Sequence, residues 1–150
     1  MILVVCGPPG VGKTTIANRL HDRLRAAGRD FEILHSDDFS SNTYGQLFER
    51  VRDDPEADWI LDGTFFERAT QERFRSLPDA HLVSVAASLE TCLKRNRERE
   101  NPIEQRGVHA MHANFDVPRN PDLTLDTERL SATEATDALE RYVETWLDDN

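Results

Sequence analysis

Apolar residues come in short runs separated by segments of helical spacing. Ile2-Leu3-Val4-Val5-Cys6 is a first run, five residues long and bounded by glycine. Ile16, Leu20 and Leu24 then recur every four positions, which predicts a helix over Thr14–Ala27 stopped by Gly28. Phe31–His35 is a second strand, broken at Ser36-Asp37-Asp38, and Tyr44, Leu47, Phe48 and Val51 place a helix over about Thr43–Arg52. Trp59–Asp62 is strand three, followed by a helix over Glu67–Arg75, and His81–Val85 is strand four. Ser88 caps a helix through Leu89, Cys92 and Leu93 that becomes solidly charged from Lys94 to Glu100, and Pro102 opens another helical segment reaching about Ala113. Leu123–Asp126 is strand five. Ser131 and Glu134 have the spacing of a capping box before a last helix striped by Leu139, Tyr142, Val143, Trp146 and Leu147. Strands this short, alternating with helices, predict an α/β fold with a parallel sheet and helices on both faces. At 150 residues the chain is expected to be a single domain, 1–150.

The first strand leads into Gly7-Pro8-Pro9-Gly10-Val11-Gly12-Lys13-Thr14-Thr15, a Walker A loop between strand and helix. Its glycines let backbone amides face a phosphate chain, and the helix start adds unpaired donors and partial positive charge. Lys13 is expected on the β- and γ-phosphates and Thr14 on Mg²⁺. Asp62, ending strand three, is the second expected metal residue.

Loops at the carboxyl ends of parallel strands form the site in such sheets. This puts Asp37 and Asp38 at the cleft, where a carboxylate can orient a hydroxyl and accept its proton. Two adjacent acids cannot both face one atom, and the sequence leaves open which of them does. Phe39, Phe65 and Phe66 lie on the same predicted rim, as stacking rings or core. Arg95 and Arg99, four apart, are expected to share one face of a helical lid at about 92–114, closing over the transferring group. His109 and His112 read as surface or packing residues, and His35 as core or cleft.

Charge and cysteine content narrow the class. There are 28 acidic and 18 basic residues, a formal net charge of -10, and only Lys13 and Lys94 are lysines. Such a surface disfavours unspecific nucleic-acid or membrane binding. It resembles proteins of salt-loving microbes, such as a halophilic archaeon. Two cysteines without ligand spacing, no leader and no membrane-length apolar run predict a reducing cytoplasm and no structural metal.

These motifs together resemble the small P-loop kinases that include adenylylsulfate kinase, seryl-tRNA(Sec) kinase and polynucleotide 5′-hydroxyl kinase. Phe115–Thr127, read as FDVPRNPDLTLDT, resembles the closing segment of adenylylsulfate kinases, and Arg95–Ile103 resembles the lid stretch of seryl-tRNA(Sec) kinases. The resemblance implies a three-layer P-loop nucleoside triphosphate hydrolase fold of nucleotide-kinase type, with a five-stranded, mostly parallel sheet. It implies ATP and Mg²⁺ as cofactors, Asp37 as the acid that handles the acceptor hydroxyl, and a small-molecule or nucleotide-end acceptor. Monomer and homodimer both fit. The chain departs from the group at Ser40, where an acceptor-binding arginine is expected, and after Asp62, where the serine-rich stretch of adenylylsulfate kinases is absent. A polynucleotide 5′-hydroxyl kinase and a nucleotide-binding regulatory protein are the alternatives.

Overall fold

The alternation of sides along the first strand sets the architecture. In the computed structural model, which describes residues 1–149, Leu3 and Val5 of β1 (Ile2–Cys6) enter one apolar cluster while Ile2, Val4 and Cys6 enter another. Both faces of this strand are therefore covered, as a continuous apolar run requires. The chain continues through α1 (Lys13–Ala26), β2 (Phe31–His35), a 3₁₀ turn (Ser36–Asp38), α2 (Thr43–Asp53), β3 (Asp58–Gly63), α3 (Arg68–Arg75) and β4 (Ala80–Ala86). It ends with α4 (Leu89–Arg97), α5 (Gln105–Asn114), β5 (Leu123–Asp126) and α6 (Ala132–Asp148). The five strands are ordered β2-β3-β1-β4-β5, and every neighbouring pair is parallel. Helices α1 and α6 cover the first face with Ile16, Leu20, Leu139 and Val143. Leu47 and Val51 of α2 and Phe74 of α3 cover the second. Each such buried side chain contributes roughly 1.5–3 kcal/mol over its exposed state. This is the expected three-layer α/β fold, a five-stranded parallel sheet of the P-loop type.

Register places the chemistry. Val5 lies beside Asp62 and Cys6 beside Gly63, so the end of β3 meets the start of the glycine loop. On the other side His35 pairs with Asp62, bringing the end of β2 to the same point. The helix ends follow local signals: the Ser88 hydroxyl accepts from Thr91 N, and Ser131 with Glu134 forms the reciprocal capping box.

Two expectations fail around the charged stretch. Helix α4 ends at Arg97, so Arg99 lies beyond it and does not share a helical face with Arg95. Pro102 does not open α5, which begins at Gln105. The cause is Asn96, whose buried amide holds the Ile103 backbone at both its N–H (3.0 Å) and its carbonyl (2.6 Å). That clamp folds residues 98–104 into a closed connection, and proline biases the residue before it away from helix. Among the described residues no helix is long and apolar enough to cross a membrane. Both cysteines are free and buried.

Candidate active site

The glycine loop turns because Gly10 and Gly12 take positive φ, +88° and +95°. Gly12 in this left-handed conformation is the N-cap of α1, and Lys13 is its first residue. The loop amides and the first turn of α1 thus face one cleft of about 460 Å³. Pro9, Gly10, Gly12, Lys13, Thr14 and Thr15 line one wall. Asp37, Thr64, Arg95, Arg99, Ile103 and Met111 complete the lining of the cleft, and the Asp37 carboxylate is close enough to act on the Lys13 charge. Gly7 and Pro8 lie back from this cleft. Val11 is buried in the core and borders a second cavity of about 320 Å³ beside α1, together with Thr15, Ile16, Arg95, Thr127 and Leu130.

Burial holds the Lys13 ammonium below its ordinary pKa, while the Asp62 and Asp37 carboxylates pull it back up. Asp62 is buried, and its Oδ2 accepts from Thr14 Oγ1 at 2.7 Å. The same oxygen lies 2.7 Å from His35 Nδ1. A carboxylate only accepts, so that ring nitrogen carries the proton. Asp62 Oδ1 is buried with no hydrogen-bond partner among the described residues. An orphaned buried acceptor costs about 1–3 kcal/mol unless something satisfies it. Hydroxyl and carboxylate are hard oxygen donors, and among the described residues no group of three or more His, Cys, Asp or Glu could hold a metal alone.

Asp37 is exposed in the 3₁₀ turn and lines the cleft; Asp38 is exposed beside it but is not part of that lining. Arg95 donates to the carbonyls of Gly10 and Thr127 and to the Thr127 hydroxyl, each at 3.0 Å. The predicted aromatic rim is not in the cleft. Phe65 is fully buried at φ +50°, packed between Tyr44 (4.6 Å) and Phe74 (5.2 Å). Phe39 lies under Arg50. Thr64, Ile103 and Met111 line the cleft, and none of the three rings does.

Three contacts were not assigned from sequence: His35 on Asp62, and, on the loop itself, Thr127 at the Val11 carbonyl and His112 at 3.1 Å from the Pro9 carbonyl. His35 becomes legible once β2 and β3 are known to pair, since both residues end their strands. A wider groove of about 650 Å³ runs along α3, lined by Arg68, Arg75 and Arg119. Arg68 and Arg75 donate to the carbonyls of Val117, Arg119 and Asn120, strapping that segment to the helix.

Comparison with known proteins fits this geometry. The chain is 26% identical over 179 residues to a cytidylate kinase of Staphylothermus marinus, an alignment spanning 98% of each. It superposes on a gluconokinase from Sinorhizobium meliloti with a TM-score of 0.74 at 15% identity, covering 99% of this chain and 96% of the other. The APS kinase of Mycobacterium tuberculosis, solved with AMPPNP and APS, matches with a TM-score of 0.70 at 17% identity over 98% and 96%. At these identities the two structures establish a shared three-layer α/β fold of the P-loop type. The AAA domain family matches residues 2–118, and the chain belongs to that family.

Proposed function

We propose that the chain is a single-domain, ATP- and Mg²⁺-dependent phosphotransferase that moves the γ-phosphate to a hydroxyl of a small molecule or nucleotide. The observation that carries this reading is Asp37, a carboxylate lining the same cleft as Lys13 and the glycine loop. The site offers anion binding on one side and a proton acceptor on the other, which is the arrangement hydroxyl phosphorylation needs.

In this reading the amides of Gly10 to Thr15 and the Lys13 ammonium hold the triphosphate. Thr14 and Asp62 would hold Mg²⁺, which would give the unpartnered Asp62 oxygen a partner directly or through water. When bound, the ion would supply neutralisation of the phosphate charge. Asp37 orients the acceptor hydroxyl and takes its proton as the new O–P bond forms and the bond to the β-phosphate oxygen breaks, releasing ADP. Arg99 faces the cleft and neutralises charge on the group in flight. The apolar-edged cavity at Thr127 and Leu130 adjoins the loop and suits the nucleotide base.

The likeness to a cytidylate kinase raises a nucleoside monophosphate as acceptor. An exposed carboxylate on the acceptor wall, with Arg95 already engaged by the loop, repels a phosphate acceptor and favours a neutral hydroxyl. For RNA, the arginines along α3 are in part committed to main-chain carbonyls. The test is transfer of labelled γ-phosphate to adenylylsulfate, nucleosides, small alcohols, CMP and 5′-hydroxyl RNA, at low and multimolar salt. Label on a hydroxyl acceptor, lost by about 10³-fold in Lys13→Ala, supports the proposal. Transfer only to CMP, or nucleotide binding without any transfer, contradicts it.

A further inference from the structure

Backbone amides can face a phosphate only if the carbonyls between them face away, and those carbonyls then need donors of their own. Here three successive outward carbonyls are each met by a side chain from a different part of the chain. The Pro9 carbonyl accepts from His112 Nε2 on α5 at 3.1 Å, so that nitrogen carries a proton. The Gly10 carbonyl accepts from Arg95 Nη1 on α4 at 3.0 Å. The Val11 carbonyl accepts from the Thr127 hydroxyl, just after β5, at 2.8 Å.

Two of these donors are themselves joined. Arg95 donates to both the hydroxyl and the carbonyl of Thr127, and Thr127 N donates to the Ala86 carbonyl at the end of β4. The support therefore runs from the sheet through Thr127 and Arg95 to the loop. Packing reinforces it: a Cβ on Gly10 would lie 3.0 Å from both Cβ and the carbonyl oxygen of Cys92, so α4 presses directly on the loop. Arg99, by contrast, stands on the connection closed by Asn96 and Ile103 and lines the cleft.

We propose that Arg95, Thr127 and His112 form a brace that pre-sets the loop amides for phosphate, and that they are positioning residues rather than groups that act on the transferring phosphoryl. Helices α4 and α5 are then supports of the loop, and Arg99, on the 98–102 connection, is the lid arginine left to line the cleft. Swinging Arg95 to the reacting phosphate would release the Gly10 carbonyl and the Thr127 anchor together. This inference rests on the loop being the phosphate-binding element, as proposed above. It adds that loop order is supplied from outside the loop before nucleotide arrives, which lowers the ordering cost at binding.

The test uses Thr127→Val, which removes the hydroxyl at nearly constant volume, with Thr127→Ser as the conservative variant. Inorganic tripolyphosphate, which has no base to bind, is titrated calorimetrically. Hydrogen exchange of the Gly10–Lys13 amides is followed without ligand. The brace predicts that Thr127→Val weakens tripolyphosphate by about tenfold and speeds loop-amide exchange by a similar factor, while core-strand exchange stays unchanged. Thr127→Ser should recover both. Wild-type affinity and wild-type loop protection in Thr127→Val would overturn the brace. So would accelerated exchange throughout the sheet, which marks a general loss of stability. A wild-type protein that binds no tripolyphosphate would overturn the phosphate-binding reading itself, a result distinct from failure of the brace alone.

Discussion

The Thr14 hydroxyl donates to Asp62 at 2.7 Å, tying the first turn of α1 to the end of β3. His35 also contacts that carboxylate oxygen, so one Asp62 oxygen is doubly committed and the second has no partner among the described residues. We predict that Asp62→Asn, which places a neutral amide at this point, raises the half-saturating Mg²⁺ concentration at least about tenfold and lowers turnover by about 10²-fold. Nucleotide affinity measured without Mg²⁺ should change little. A Mg²⁺ titration matching wild type would remove Asp62 from the metal side.

His35 should show a milder version of the same effect. His35→Asn keeps an N–H donor near Asp62, whereas His35→Leu removes it. The expected order of Mg²⁺ requirement is wild type, then Asn, then Leu. Equal behaviour of both variants and wild type would mean that the His35 contact does not position Asp62.

Gly10 and Gly28 offer a controlled comparison of loop strain. Both have positive φ, +88° and +79°, but a Cβ at Gly10 meets Cys92 at 3.0 Å while one at Gly28 meets nothing within 4 Å. Gly28→Ala is predicted to cost about 1 kcal/mol, the left-handed penalty alone. Gly10→Ala should cost about 1–3 kcal/mol more, because α4 must move as well. Urea unfolding of the two variants measures the difference; equal losses would show that α4 yields freely.

Cys6 carries a pH signature. Burial pushes its thiol up to about 12 from an ordinary value of 9.0, partly offset by the Lys13 and Arg75 charges. A raised folded pKa favours the folded state fully below pH 9, and this contribution is lost as pH rises from about 9 to about 12. The slope from this one group is about 1.4 kcal/mol per pH unit within that window. We predict that the stability of Cys6→Ala falls less steeply than wild type above pH 9, read from urea unfolding at stepped pH. Parallel slopes would contradict the assignment.

The fold was legible where its causes are local. The apolar run before the glycine loop, the four-residue spacing of Ile16, Leu20 and Leu24, and the Ser131–Glu134 cap all depend on neighbours in sequence. The errors arose where a distant contact decides. Charge pattern and Pro102 gave no sign that Asn96 would reach forward to Ile103 and shorten α4. The positions of Lys13, Thr14, Asp37 and Asp62 in one cleft or at its edge follow from strand ends in a parallel sheet, a rule that sequence can use. Thr127 and His112 lie more than a hundred residues from the loop they touch, and although Thr127 closes the FDVPRNPDLTLDT stretch, no local pattern ties either residue to a loop carbonyl. Of the two readings the sequence left for Phe65, stacking ring or core, the structure takes the core: the residue is at φ +50° and its ring packs between Tyr44 and Phe74.

Phosphoryl transfer to a hydroxyl assisted by Asp37 is the central claim, and acceptor-dependent ADP release in wild type and Asp37→Asn tests it most directly. With the best hydroxyl acceptor from the panel, the account predicts that Asp37→Asn lowers kcat by about 10²–10⁴-fold while the nucleotide Kd stays within a factor of about two. ADP release that needs no acceptor, or an Asp37→Asn variant that turns over at the wild-type rate, would contradict it.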